Sequence, residues 1–430
     1  MTSAVEDWGI VGAGGAGFPT EVKLRAKAEL VIVNAAECEP LLHKDKELIL
    51  HEGRAMLAGL RSAMERVGAS RAVVGIKEKY EEVIRALAAQ ITDDVTIQPL
   101  RDTYPAGDEF VLVHDVTGRV IPPGGLPLDV GALVNNVETL VNLGHARPVT
   151  HKYLTVAGAV ASPCTLRVPL GVSLGEVVIA AGGATVPRWA ALVGGAMMGR
   201  LASGPEEPVT KTTGGVLVLG EDHALVARYR APWRTIERIG RSACDQCSFC
   251  TELCPRYLLG HPIEPHRAMR ALGFGLDKDP NVVGTLACCE CNLCSLFSCP
   301  EALDPKNVCV HDKAVVRAKG LKWSGDAASV RPHPLFEERR IPMRRLVLRL
   351  GLKGFRNEGP LVDAGLHPSR VVLPLKQHAG APSVPVVRPG ERVRAGDLVA
   401  RRPEGSLGAH VHASIDGRVA STDDAVVIEA

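Results

Sequence analysis

GIVGAGGAGFPTEVKL, residues Gly9–Leu24, carries Gly12, Gly14 and Gly17 in the spacing G-x-G-x-x-G, and its reading decides which α/β domain opens the chain. A Rossmann dinucleotide unit needs a buried strand before the first glycine and an acidic residue at the end of the second strand. Only Ile10 and Val11 precede Gly12, and the next strand, LVIVN at Leu30–Asn34, ends on an amide. Pro19 falls where a Rossmann helix would already be running; it suits the start of a helix over Thr20–Glu29 instead. What fits is a loop that offers backbone N–H groups and a helix N-terminus to a phosphate, with Lys23 adding a fixed positive charge. The plainer alternative is a glycine-rich turn with no ligand.

The neighbouring sequence argues for a layered domain. Leu48 to Val67 has helical apolar spacing, Arg71–Lys77 (RAVVGIK) reads as a strand, Lys77–Ile91 as an amphipathic helix and Val95–Leu100 (VTIQPL) as another strand. This alternation runs to about Leu143 and predicts an α/β domain over residues 1–148. Three stretches place amides or carboxylates at strand ends, where such sheets collect ligands: NAAECEP (Asn34–Pro40), YPAGDEF (Tyr104–Phe110) and NNVETLVN (Asn135–Asn142). Cys38 within the first reads as a small buried residue rather than a redox thiol. Past Val149 the texture changes to short strands and turns, predicting a small α+β module over 149–225. A cysteine region spans 233–320, an arginine-rich connector 321–365, and short strands with Gly and Pro turns fill 366–430 as a β module. The connector reads as a solvated face packed on its own protein, with a membrane-surface or partner helix as the alternative.

Composition narrows the classes. With 46% hydrophobic residues the chain can bury sizeable cores, and a formal net charge of +2 argues against a general nucleic-acid binder. No apolar run approaches the roughly 18 residues needed to cross a bilayer. The start, MTSAVEDWG, has neither the basic nor the apolar segment of a secretion signal. The expectation is a cytoplasmic protein.

Ten of the 12 cysteines fall between Cys244 and Cys309, a clustering that points to metal rather than disulfides. CDQCSFCTELCP gives Cys244-x2-Cys247-x2-Cys250-x3-Cys254-Pro, and CCECNLCSLFSCP gives Cys288-x2-Cys291-x2-Cys294-x4-Cys299-Pro. In two-cluster ferredoxins the fourth cysteine, before proline, ligates the other cluster. The expected [4Fe–4S] sets are therefore Cys244, Cys247, Cys250 with Cys299, and Cys288, Cys291, Cys294 with Cys254. Cys289 is a spare that could compete with Cys288, and Cys309 reads as a buried non-ligand. Structural zinc is the competing assignment, but zinc knuckles use paired C-x-x-C motifs separated by a long gap.

GAGGAGFPTEVK, NAAECEP, AGDE and NNVET together resemble the NADH-oxidising, FMN-binding flavoprotein subunit of respiratory complex I. With VGGAMMG, TKTTGGVLVL and the double cysteine motif, the chain is more similar still to two relatives of that subunit. These are the C subunit of Rnf-type electron-transport complexes and the cobalamin reductases of propanediol-utilisation microcompartments. The small β module lies at the C-terminus, the order of the cobalamin reductases. The resemblance implies a multidomain α/β protein: an FMN-binding α/β domain, an SLBB-type α+β module, an α-helical ferredoxin-like domain with two [4Fe–4S] clusters, and a β barrel-sandwich hybrid (biotinyl/lipoyl-like) module. It implies that Gly12, Gly14, Gly15, Gly17 and Lys23 hold the FMN phosphate, with Asn34, Asn135, Asn136 and Thr139 around the flavin and its ribityl chain and Asp108 lining the pocket. It places Phe18 against the adenine of NADH, and Glu39 and Glu109 on its ribose hydroxyls or carboxamide. Ala36 stands where the complex I subunit has an aspartate; the Rnf-like relatives also carry alanine. With no lysine in HVHASIDGRV, no covalent biotin or lipoate is expected.

The resulting expectation is an oxidoreductase passing electrons from NADH through FMN and two [4Fe–4S] clusters to cobalamin or to a partner such as a corrinoid enzyme, ferredoxin or flavoprotein. The alternatives are an electron-transfer subunit of a larger complex, like the Rnf relative, and a zinc-stabilised scaffold. The resemblance also admits a homo-oligomer or multi-subunit assembly, and residence inside a microcompartment or at a membrane through partners.

Overall fold

The run LVIVNA has branched apolar residues on both faces, which suits only a strand covered from both sides. The computed structural model describes residues 3–274 and 280–430; residues 275–279 of the expected cysteine domain lie outside the described residues. In chain order the first domain contains α1 (Ser3–Asp7), α2 (Thr20–Lys23), β1 (Leu30–Ala35), α3 (Lys44–Val67), β2 (Arg71–Lys77), α4 (Glu81–Ala88), β3 (Val95–Leu100), β4 (Thr103–Tyr104), α5 (Glu109–Thr117), β5 (Ala132–Asn136) and α6 (Val137–His145). Strands β1, β2, β3 and β5 form one parallel sheet in the order β3-β2-β1-β5. Val31 and Val33 face a core built with α3, α4 and α6, while Leu30 and Ile32 face α5 through Leu112 and Val113. Helices α3 and α6 cross at Gly59 and Gly144, where a side chain on either would collide with the partner's backbone carbonyl.

Three helices differ in length from their sequence expectation; the one expected over Lys77–Ile91 spans only Glu81–Ala88. The one after the glycine loop stops at Lys23, because the chain must turn to enter β1 and Ala28 N–H bonds Val67 O at 3.1 Å. Helix α3 begins at Lys44, ahead of its apolar pattern, because Lys44 and Asp45 are buried among other charges. Periodicity cannot see that tertiary compensation.

The middle module places β6 (His151–Gly158), β7 (Cys164–Pro169), β8 (Trp189–Val193), β9 (Arg200–Leu201) and β10 (Gly215–Gly220) in one sheet, backed by α7 (Leu174–Ala180). Ser173 and Glu176 cap α7 reciprocally, each accepting the other's backbone N–H at 3.2 Å. The connector packs on its own protein: Ile341–Pro342 pairs with β4, Leu346 and Leu352 are buried, and Leu361–Val362 adds a parallel strand beside β7. The C-terminal module is two small antiparallel sheets sharing a core of Val371, Leu373, Val399, Val411, Val419 and Ile428. It docks on the glycine loop, where Ala379 N–H donates to Gly17 O at 2.9 Å. Buried Lys211 joins three modules by donating to Gly9 O (2.7 Å) and His410 O (2.6 Å).

Candidate flavin and iron–sulfur sites

The order in which strands are added reverses between β1 and β5, since β2 lies on one side of β1 and β5 on the other. Ligands of open α/β sheets bind at such a switch point, beyond the strand C-termini. Asn34 and Asn136 are register partners there, with Asn135 paired to Val33. The glycine loop closes over the same corner. Val11 pairs with Pro19, Gly12 N–H donates to Phe18 O (2.8 Å) and Gly17 N–H to Gly12 O (3.1 Å). Gly15 and Gly17 have φ of 112° and 64°, and beyond Gly15 lies open space. Ala13 N–H donates to Thr139 Oγ1 at 3.0 Å, and Gly14 lies against the Asn136 side chain.

Lys23 Nζ reaches back to Val134 O (2.6 Å) and Glu109 Oε1 (3.4 Å). Asn34 donates to Gly107 O at 2.9 Å, and Gly107 leaves room for Cys38 Sγ, 3.2 Å from where a side chain would begin. Asn136 caps α6 through Glu138 N–H (3.0 Å) and donates to Asp45 at 2.8 Å. Asn135 is buried with its Nδ2 lacking a partner, an orphaned donor of the kind a bound flavin satisfies. The open space beyond Gly15, the lysine and this donor fit FMN.

The other expected residues are placed differently. Asp108 caps α5, accepting from Phe110 and Val111 N–H at 3.1 and 3.2 Å, and pairs with Arg256 of the cysteine domain at 2.9 Å. Glu39 accepts from the backbone N–H groups of Met197 (2.8 Å) and Met198 (2.7 Å) in the middle module, and burial pushes its pKa up to about 7. Phe18 is exposed at the loop. Cys38 is pushed up to about 12, chiefly by burial, which keeps it a neutral thiol.

A charged layer beneath the loop was not apparent from sequence. Lys152 pairs with buried Glu138 and donates to Ala13 O at 3.3 Å; Lys44 pairs with Asp45 and with Glu138, the latter at 3.3 Å. Glu37 accepts from Asp45 N–H at 2.9 Å, and burial with the neighbouring Asp45 charge raises its pKa to about 8. The signal was a lysine inside the apolar strand HKYLTVAG, which demands a buried partner.

The cysteine loops share a backbone device. Gln246 and Ser248 flank Cys247 with φ of 61° and 66°, and Glu290 and Asn292 flank Cys291 with φ of 62° and 66°. Left-handed non-glycine residues cost of order 1 kcal/mol each, and alternating αR–αL backbone forms N–H nests for anions. Cys244, Cys247, Cys250 and Cys299 line one small cavity, which brings the fourth cysteine of one motif to the first three of the other. Cys254 lies beside Cys288 in a shared apolar cluster, and the charges acting on Cys294 include those of Cys288 and Cys254. Burial pushes the Cys250 thiol up to about 12 and those of Cys254 and Cys294 further, and a hydrogen bond with Cys289 together with burial raises Cys291; ligation to iron would supply the positive charge that thiolates there require. This donor set fits two [4Fe–4S] clusters. The free thiols of Cys289 and Cys291 are hydrogen-bonded to each other, as are those of Cys288 and buried Cys309. Among the described residues, no helix is long and apolar enough to cross a membrane.

Comparison with known proteins covers each region. The chain matches the family of the Nuo51 FMN-binding domain over residues 5–145, the SLBB domain over 153–201, the 4Fe-4S dicluster domain over 243–304 and the RnfC barrel sandwich hybrid domain over 353–430. It is 43% identical to the cobalamin reductase PduS of Salmonella typhimurium over 97% of this chain and 94% of that protein. It is 42% identical to PduS of Citrobacter freundii over 98% and 94%. The C subunit of the Na(+)-translocating ferredoxin:NAD(+) oxidoreductase complex of Acetobacterium woodii is 34% identical, over 58% of this chain and 56% of its own length.

Proposed function

The chain belongs to the family of the cobalamin reductase PduS, and from that premise we propose that it carries electrons from NADH to the cobalt of cobalamin. It is an oxidoreductase whose cofactors are FMN and two [4Fe–4S] clusters. FMN, when bound, supplies the exchange between a two-electron hydride and single electrons.

The protein's part is binding, orientation and electrostatics. The N–H groups of Gly14, Gly15 and Ala16 and the Lys23 ammonium would hold the phosphate, with Gly12 and Gly17 shaping the loop through their own backbone bonds, and Lys23 would give up its bond to Glu109 to do so. Asn135 offers its free Nδ2 to the flavin, with Asn34, Asn136 and Thr139 ordering the surrounding loops. Asp108 closes the pocket corner through the α5 cap. Phe18, Glu39 and Glu109 receive the nicotinamide nucleotide, Glu39 exchanging its two loop amides for the nucleotide's hydroxyls. The Cys254, Cys288, Cys291, Cys294 set and the Cys244, Cys247, Cys250, Cys299 set hold the two clusters. The observation that carries this reading is the docking of the second cysteine loop on the corner where the flavin cradle opens. Buried Tyr104, three residues from Gly107, donates to Cys291 O at 2.8 Å.

The test is an anaerobic NADH titration followed by visible absorbance, with and without cob(III)alamin. Flavin and cluster bands should bleach on NADH and recover on adding the corrinoid. Oxidised flavin persisting in excess NADH overturns the NADH assignment. Bleaching without recovery transfers the acceptor role to a partner redox protein.

A further inference from the structure

Arg256 follows the Cys254–Pro255 pair, yet its guanidinium reaches out of the cysteine domain and into the flavin domain. It pairs with Asp108 at 2.9 Å and lies over the Phe110 ring, 3.6 Å from its centroid. It is 8% exposed, and its Nε–H is buried with no partner. After Asp108, the charged groups acting on it are Cys289 and Cys254. The ion pair is therefore an oriented dipole: the carboxylate sits on the α5 cap, and the guanidinium, with a free N–H, belongs to the helical turn that Cys254 of the second quartet caps. Sequence alone gave neither residue this purpose.

We infer that Arg256 is a positioning residue that raises the reduction potential of the cluster held by Cys254, Cys288, Cys291 and Cys294, while Asp108 limits that rise and fixes the quartet against the flavin domain. The inference rests on the reading of those four cysteines as cluster ligands. Reduction adds one electron to the cluster, so a nearby fixed positive charge or an N–H donor to sulfur stabilises the reduced form. The first quartet, with Cys247 exposed, has no such partner in the flavin domain among the described residues. One cluster is thus tuned by a charge pair shared with the flavin domain, whereas the other borders solvent at Cys247 and has Arg349 donating to Cys299 O at 3.4 Å.

EPR-monitored redox titration of the full-length, cluster-loaded protein tests this in Arg256→Gln, Arg256→Lys and Asp108→Asn. Arg256→Gln should lower one midpoint, making its reduced-to-oxidised ratio at a fixed potential about tenfold smaller (~59 mV for one electron), and leave the other unchanged. Asp108→Asn keeps a good helix cap and should move the same midpoint upward; Arg256→Lys should restore most of the wild-type value. Unchanged midpoints, both clusters shifting together, or the same sign in Arg256→Gln and Asp108→Asn would each overturn the inference. If Arg256→Gln does not load clusters, Asp108→Asn decides alone, with no upward shift overturning it. A wild-type protein with fewer than two clusters overturns the functional reading itself and is recognised first, from its iron content.

Discussion

The two cysteine loops have the same spacing over their first three cysteines and the same left-handed residues around the middle one, but opposite surroundings. The loop at Cys244–Cys254 is stitched to its neighbours: Gln246 to Cys244 Sγ at 3.2 Å, Cys247 N–H to Asp245 at 3.2 Å, Ser248 to Glu252 at 3.1 Å. Cys247 is exposed and Phe249 is 49% exposed beside it. The loop at Cys288–Cys299 is held by the rest of the protein: Tyr104 on Cys291 O, Asn292 on Met197 O at 3.1 Å, and Lys313 on Cys288 O at 2.8 Å. A duplicated motif has been split into an inward face that meets the flavin domain and an outward face that meets solvent. The difference lies in the contacts each loop makes, since the ligand types are identical.

The largest effect tests how the quartets cross. Cys254→Ser should cost the inward cluster, lowering iron from about eight to about four per chain, and stop NADH from reducing what remains. Cys299→Ser should cost the outward cluster and leave the inward one reducible by NADH. EPR of both variants, reduced by NADH and by dithionite, checks this. The reverse pattern would mean that each motif ligates its own cluster.

Lys23→Ala removes the difference between the loops in another way. Loss of a charge-assisted bond to phosphate should weaken FMN binding by about tenfold to a hundredfold. Dithionite should still reduce both clusters equally well, while NADH reduces neither until excess FMN is added. Flavin fluorescence of the released cofactor and iron content separate this outcome from unfolding.

Tyr104→Phe is a smaller change and acts on the inward loop alone. It leaves Cys291 O, buried in this interface, without its donor and should cost about 1 kcal/mol. The readout that separates the loops is stopped-flow reduction by NADH. The inward cluster should be reduced more slowly, with the outward one delayed behind it, while reduction by dithionite stays unchanged.

Legibility in the sequence follows how local each signal is. The strand at Arg71–Lys77 and the strand beginning at Leu30 were readable because branched apolar runs bounded by polar residues carry their own signal. The 4Fe-4S dicluster domain was readable because cysteine spacing alone encodes loops around clusters. The glycine loop was readable by exclusion, since it lacked the strand and the acid a Rossmann unit needs. By contrast, nothing adjacent to Arg256 announces Asp108, 148 positions away, and Tyr104 lies 187 positions from the carbonyl it bonds. Glu39 sits at a strand end, as a ligand residue should, but whether its carboxylate faces a nucleotide or the Met197–Met198 amides depends on how the middle module docks. The two-residue strand Leu361–Val362 has no periodicity to detect and exists only because β7 offers it an edge.

The smallest expected effect concerns the spare thiol. Cys254, Cys288, Cys289, Cys291 and Cys294 crowd together at the inward loop with Cys309 beside them, two more thiols than a cubane takes. In this structure the Cys289 thiol is hydrogen-bonded to Cys291, and the Cys288 thiol to buried Cys309. Spacing favours Cys288, because it repeats the x2 interval of Cys244 and Cys247 and because the left-handed residues at Glu290 and Asn292 match Gln246 and Ser248. If Cys288 is the ligand, Cys289→Ser should keep both clusters, both EPR signals and wild-type iron, with a midpoint change of less than about twofold in reduced-to-oxidised ratio. Cys288→Ser should either lose the inward cluster or retain it in a weakened form through Cys289, and the double variant should lose it outright. Loss of iron in Cys289→Ser with retention in Cys288→Ser would reassign the ligand. It would also mean that the two loops, alike in their left-handed residues, wrap their clusters in different registers.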